Sequence, residues 1–248
     1  MPRRPRVASG GLVYHVLNRA VGRQKLFRKP GDYAAFLRVI DEVYRRLAVP
    51  VLAYCLMPNH WHLALWPEED GQLSEFLRLV TVTHTQRYHA HYHSAGTGPV
   101  YQGRFKSFPI QQDAHLLTVC RYIDRNALRA NLVARAELWR WCSLYNRYGA
   151  PAEQDAGVDG GPEAMIPPWL LPMNRWPAAL PSRLDWSTWV NRPQSEAEEA
   201  ALVRCIRRGT PFGDDRWRVR TARRLGLEST LRPRGRPRLR PIKDSRPL

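Results

Sequence analysis

The sequence predicts an α+β fold, and three observations lead to it. Apolar residues alternate over four short runs, they recur at helical spacing over three longer ones, and the two kinds follow one another in the order βαββαβ with a further helix behind. That order is the split βαβ, ferredoxin-like pattern, a four-stranded antiparallel sheet with two helices against one face. The extra helix is then free to lie over the other face. A chain of 248 residues, 44% of them hydrophobic, has enough apolar material for such a core.

The first strand lies in the run LVYHVLNRA that begins at Leu12. A helix opens near Asp32 as its N-cap and carries Phe36, Leu37, Ile40, Val43, Tyr44 and Leu47 along one face. VPVLAYCLMPNHWHLALW holds two strands broken at Met57-Pro58-Asn59, which reads as a hairpin. A second helix spans roughly Gln72 to His91, with Leu73, Phe76, Leu77, Val80 and His84 recurring on one face, and YQGRFKSFPI supplies the fourth strand. A third helix is expected from about Asp113 to Ala130. Eight prolines between residues 151 and 193 predict a linker, followed by short helices near Ser195 to Arg208 and Asp214 to Gly226. The closing LRPRGRPRLRPIKDSRPL is too rich in Arg and Pro to form a core and is expected to be extended and disordered when free. The expected division is therefore a domain over 1–150, a Pro-rich linker over 151–193 and a basic helical or disordered extension over 194–248.

Charge narrows the partners. Thirty-nine Lys and Arg against 22 Asp and Glu give +17, and only four of the 39 are lysines. Arginine forks grip phosphates at two points and stack on bases, so nucleic acid is the expected polyanion. The excess sits at the ends: residues 1–30 hold eight basic and no acidic side chains, 201–248 hold fifteen and four, and 31–110 balance at seven each. Such arms suit an electrostatic grip on a backbone. Four scattered cysteines without a CxxC pair point to reduced thiols. No run of about 18 apolar residues and no apolar stretch behind MPRRPRVASGG is present, so neither a membrane span nor a secretory signal is expected, and the predicted location is cytoplasmic and nucleoid-associated.

Two constellations could do chemistry. His60 and His62 stand two apart on a strand, so both imidazoles leave the same face while Trp61 leaves the other. They read equally as a metal-binding pair or as two polar residues on a sheet. Tyr122 and Asn126 are one helical turn apart. If their helix covers the histidine face, Asn126 can add a third ligand and Tyr122 can sit beside a bound phosphate; taken alone, Tyr122 is an ordinary half-buried tyrosine. Of His89, His91 and His93, only the outer two could share a metal, at a frayed helix end without a carboxylate or thiol, and none is expected there. His84, Gln86 and Arg87 are assigned to helix surface or a DNA-facing rim.

AYCLMPNHWHLALW, YQGRFKSF, RYIDRNALRANLV and RRLGLESTLRPRGRPR, in that order, resemble the REP-associated tyrosine transposases, a group of single-tyrosine HUH transposases. The resemblance covers about residues 10 to 150 and, by its motif, the last forty or so. It implies that His60, His62 and Asn126 bind Mg²⁺ or Mn²⁺ and that Tyr122 is the nucleophile. The implied activity is nicking and strand transfer on single-stranded DNA through a 5′-phosphotyrosine, with hairpin-forming REP-like palindromes as substrate. One departure is Ala127 where many relatives have proline. Arg104, Lys106, Arg121, Arg125 and Arg129 are expected to hold phosphates around the site, and Arg234 and Arg236 of the RGRP segment to enter a minor groove. A monomer is expected, since the basic tail can complete a site in cis. Two rivals are an RNA-binding module, whose stacked aromatic pair the strands lack, and a hairpin-DNA binder that no longer cuts.

Overall fold

The computed structural model describes residues 8–149, 166–182 and 184–232. Strands β1 (Val13–Arg19), β2 (Val51–Met57), β3 (His60–Leu65) and β4 (Lys106–Ile110) form one antiparallel sheet in the order β2-β3-β1-β4, as the βαββαβ pattern requires. Each strand alternates between two cores. Tyr14, Val16, Trp61, Leu63 and Leu65 face helices α1 (Pro30–Leu47) and α2 (Gln72–Tyr92). Val13, Ala64, Phe108 and Ile110 face the opposite way, where α3 (Ala114–Asp124) covers them with Leu116, Cys120 and Ile123.

Two helix boundaries differ from expectation for local reasons. Helix α1 begins at Pro30, whose fixed φ suits a first turn, and Asp32 folds back so that Oδ2 accepts the backbone N–H of Arg28 and of Lys29 at 2.7 and 3.1 Å. Asp32 thus closes the helix start from within the first turn. The third helix is interrupted at Arg125 and resumes as α4 (Asn126–Arg129). Its N-cap is Asp113, whose carboxylate accepts the His115 N–H at 2.8 Å. His84, assigned to the surface by its polarity, is buried in α2; its Nδ1 accepts from the Tyr101 hydroxyl at 2.7 Å, while Trp61 Nε1 donates to the same oxygen at 3.2 Å. A polar ring inside the core is tolerated because its partner is inside too.

The segment marked as linker by its prolines also packs, over its described residues. Trp169 and Leu170 enter the first core, and Trp176 and Trp186 the second. Proline forbids long helices there but not an extended chain that buries large aromatics. Helices α5 (Ser143–Tyr148), α6 (Trp186–Asn191) and α7 (Glu196–Arg208) then lie against the second face, with Leu144, Val190, Leu202 and Cys205 buried. Among the described residues no helix is long and apolar enough to cross a membrane, and all four cysteines are free and buried.

Candidate active site

The histidine pair faces α3. Alternation on β3 sends His60 and His62 to the second face, and Tyr122 on α3 lies over them, its ring centroid 5.9 Å from that of His62 with the planes near perpendicular. The His60 and His62 rings are 5.0 Å apart. Tyr122 is 5% exposed, and burial raises its pKa, opposed by the Arg129 cation and, less, by the Asn126 amide. Arg129 Nη1 donates to the Tyr122 hydroxyl at 3.2 Å, and its Cζ stands 5.3 Å from the ring centroid. Glu199 on α7 holds the far side of that guanidinium, at 3.6 Å from Nε.

Two side chains of this site were not singled out in the sequence. His15 on β1 lies between His62 and Phe108, with Nε2 at 2.9 Å from His62 Nδ1 and the two imidazoles nearly parallel. Arg19, four residues further along β1, is directly opposite His60 in the register, and its Nε is buried without a partner. The alternation Val13, His15, Leu17, Arg19 was readable, but it takes the β1–β3 register to place two of those residues beside the histidine pair.

The ring nitrogens suit a cation. Burial, reinforced by Arg19 and Arg129, lowers the His60 pKa to about 4, and burial lowers His15 to about 3 and His62 well below the ordinary imidazole value. All three rings are uncharged at neutral pH, the form a metal ligand must take. Asn59 Oδ1 occupies His60 Nδ1 at 2.6 Å and His15 occupies His62 Nδ1, which leaves Nε2 of each ring free. Asn126 is buried and its Nδ2 has no hydrogen-bond partner of ordinary geometry, while the amide lies close enough to Tyr122 to favour its phenolate. These residues fit a hard divalent cation of mixed N and O ligation. Among the described residues no group of three or more His, Cys, Asp or Glu could hold a metal, so a site here would have to draw on an amide as well. At the rival position His89 Nδ1 pairs with Ser94 Oγ at 2.9 Å and His93 is the left-handed cap of α2.

The expected phosphate-binding residues separate into groups. Arg121 and Arg125 are engaged within the protein: Arg121 Nη2 donates to the carbonyls of Arg192 and Pro193 at 2.8 and 3.0 Å, and Arg125 Nη1 to those of Val190 and Asn191 at 3.1 and 2.6 Å. They cap the end of α6, a role invisible in a sequence where these partners lie some seventy residues downstream. Arg129 meets Tyr122. Lys106 is exposed at the start of β4, and by alternation from Phe108 it shares the histidine face. Arg104 lines an open cleft of about 670 Å³ with Asn18, Arg78, Gln86 and Tyr101. Arg234 and Arg236 lie outside the described residues.

Residues 8–126 match the family model described as IS200-like transposase. The matched residues, just under half of the chain, resemble that family. The match takes in the sheet, α1, α2, both histidines, Tyr122 and Asn126. Solved structures similar to this chain include a REP-associated tyrosine transposase bound to a REP hairpin, at 21% identity over 58% of this chain and 83% of that one with a TM-score of 0.48. Another is a protein described as a transposase from Deinococcus radiodurans R1, at 12% identity over 53% and 92% with a TM-score of 0.35. No curated protein matches it in sequence.

Proposed function

We propose that this chain is an IS200-like transposase that nicks single-stranded DNA and rejoins strands through Tyr122, acting on hairpin-forming, REP-like palindromes in the cytoplasm as a nucleoid-associated monomer. The carrying observation is Tyr122 lying over His62, with Arg129 on its oxygen and Asn126 one turn behind it. A phenol with an ordinary pKa near 10 is ionised in about one molecule in a thousand at pH 7, and burial makes ionisation harder. Arg129 therefore stabilises the oxygen that must attack. That oxygen forms a bond to the scissile phosphorus, the phosphorus–3′-oxygen bond breaks, the phenol proton is released and the departing oxygen takes one up as a 3′-OH. The 5′-phosphotyrosine keeps the bond's energy, so a second 3′-OH can reverse the step without ATP. His60, His62 and Asn126 would hold Mg²⁺ or Mn²⁺, which supplies charge neutralisation at the phosphate when bound.

Residues 1–150 would be the catalytic unit and 194–248 the DNA-gripping one, with Lys106, Arg104, Arg234 and Arg236 on the backbone. Helices cover both faces of the sheet, which removes the open aromatic platform of an RNA-binding module. The test is incubation with single-stranded hairpin DNA and Mn²⁺ followed by a denaturing gel. A covalent protein–DNA band in the wild type, absent from Tyr122→Phe while hairpin affinity stays within about threefold, is the expected result; hairpin binding without any adduct would make the chain a binder that no longer cuts.

A further inference from the structure

His15 belongs to the site geometrically and has no part in the chemistry above. It sits on β1, wholly buried, and its hydrogen bond to His62 crosses between strands paired in the centre of the sheet. A single hydrogen bond between two imidazole nitrogens holds one proton, and its position decides what His62 can do. If His62 Nδ1–H donates to His15 Nε2, the His62 Nε2 lone pair is free to ligate. If the proton lies on His15 Nε2, then His62 Nδ1 is the acceptor, Nε2 carries the remaining hydrogen, and no lone pair faces the site.

The neighbouring ring supplies a precedent for the first arrangement, although in either one His15 Nδ1 stays buried without a partner. Asn59 Nδ2 donates to the Arg23 carbonyl at 3.4 Å, which turns Oδ1 toward His60, and an amide oxygen can only accept. His60 is thereby held as the Nδ1–H tautomer with Nε2 free. A matching role at His62 needs an acceptor at the same ring position, and among the described residues the atom there is His15 Nε2. Ring orientation is fixed as well, because His15 is gripped between His62 and Phe108, the latter centroid 4.9 Å away.

We infer that His15 is a positioning residue that holds His62 in its Nδ1–H tautomer and aims its Nε2 at a divalent cation. This rests on the metal reading of His60, His62 and Asn126. Partners of this kind raise the basicity of a ligating imidazole and fix its orientation, and their loss costs about 10- to 100-fold in metal affinity.

The experiment uses the full chain with ¹⁵N-labelled histidine. Long-range ¹H–¹⁵N correlation spectra of the metal-free protein report which nitrogen of each ring carries the proton, with His62→Ala assigning the His62 signals. The Nδ1–H pattern is expected at His62 in the wild type and its loss in His15→Leu, which keeps buried bulk but removes the acceptor. Mn²⁺ affinity, read from the free-ion electron paramagnetic resonance signal, should fall about 10- to 100-fold in His15→Leu. It should recover in His15→Gln, whose amide oxygen stands as many bonds from Cα as Nε2 does. A His62 proton on Nε2 in the wild type overturns the inference, as does undiminished Mn²⁺ affinity in a folded His15→Leu protein. Should His15→Leu not fold, the wild-type spectrum and His15→Gln still decide. A wild type with the Nδ1–H pattern that binds Mn²⁺ through His62 yet makes no DNA adduct would sink the strand-transfer reading and leave the His15 pairing standing.

Discussion

Arg129 offers the sharpest test of the proposal that Tyr122 is the attacking group, because its guanidinium donates to the phenol oxygen at 3.2 Å while Glu199 draws on its other side. In Arg129→Gln the cation disappears and a polar side chain remains. A hydrogen bond to a charged partner contributes about 1.5–3 kcal/mol. The Arg129 side chain is 38% exposed, so solvent screening reduces that to about 1–1.5 kcal/mol. This corresponds to about one pKa unit on the phenol. The sign follows from the opposed causes: burial raises the Tyr122 pKa and Arg129 lowers it, so removing Arg129 raises it further and leaves about tenfold less phenolate at any pH below it. Single-turnover adduct formation on saturating hairpin DNA, measured from pH 6 to 10, should be about tenfold slower in Arg129→Gln, with the profile displaced to higher pH by about one unit. Glu199→Gln should move the opposite way, by less than about fivefold, since Glu199 opposes the phenolate from an exposed ion pair. An unchanged pH profile combined with a salt slope of DNA binding flattened by about 0.7 log unit would refute this argument and make Arg129 a phosphate contact.

His60→Ala or His62→Ala should abolish Mn²⁺-dependent adduct formation while leaving the thermal unfolding midpoint within a few degrees; full activity of the wild type in EDTA would exclude the metal role. Asp124 is wholly buried, accepts Trp186 Nε1 at 2.9 Å and is hydrogen-bonded by the Ser143 hydroxyl, so Asp124→Ala should cost about 3–5 kcal/mol in denaturant unfolding. Because burial raises its pKa, the folded protein holds that proton more tightly than the unfolded chain, and the stability of the wild type relative to Asp124→Asn should shrink as pH rises through the folded pKa. A gap that widens with pH would contradict that sign. Deleting 233–248 removes six basic side chains and one acidic one, and should flatten the salt dependence of single-strand binding by about two to four log units; identical slopes would leave the tail without a part in binding.

What the sequence shows and what it hides divides along the range of the interactions. The strands, the hairpin at Pro58-Asn59 and the shared face of His60 and His62 depend on periods of a few residues, so they were readable from spacing. Tyr122 and Asn126, one turn apart, were readable in the same way even though the helix pauses at Arg125. His15 and Arg19 needed the register of a strand pair, and Arg121 and Arg125 needed carbonyls far along the chain. Composition misled at two places. Polarity put His84 outside, although a tyrosine hydroxyl satisfies it within, and proline content marked as linker a stretch whose tryptophans are buried.

The four bonds from Arg121 and Arg125 to the carbonyls of residues 190–193 bear on how this molecule can be taken apart. Cutting after residue 150 would keep His60, His62, Tyr122 and Asn126 and still strip the helix that carries Tyr122 of its outer brace. Two guanidiniums would lose four acceptors, Asp124 would lose the Trp186 indole, and Glu199 would no longer steady Arg129. The stretch after the prolines is a buttress, and the enzyme that nature would have to preserve runs well past the segment that carries its signature motifs.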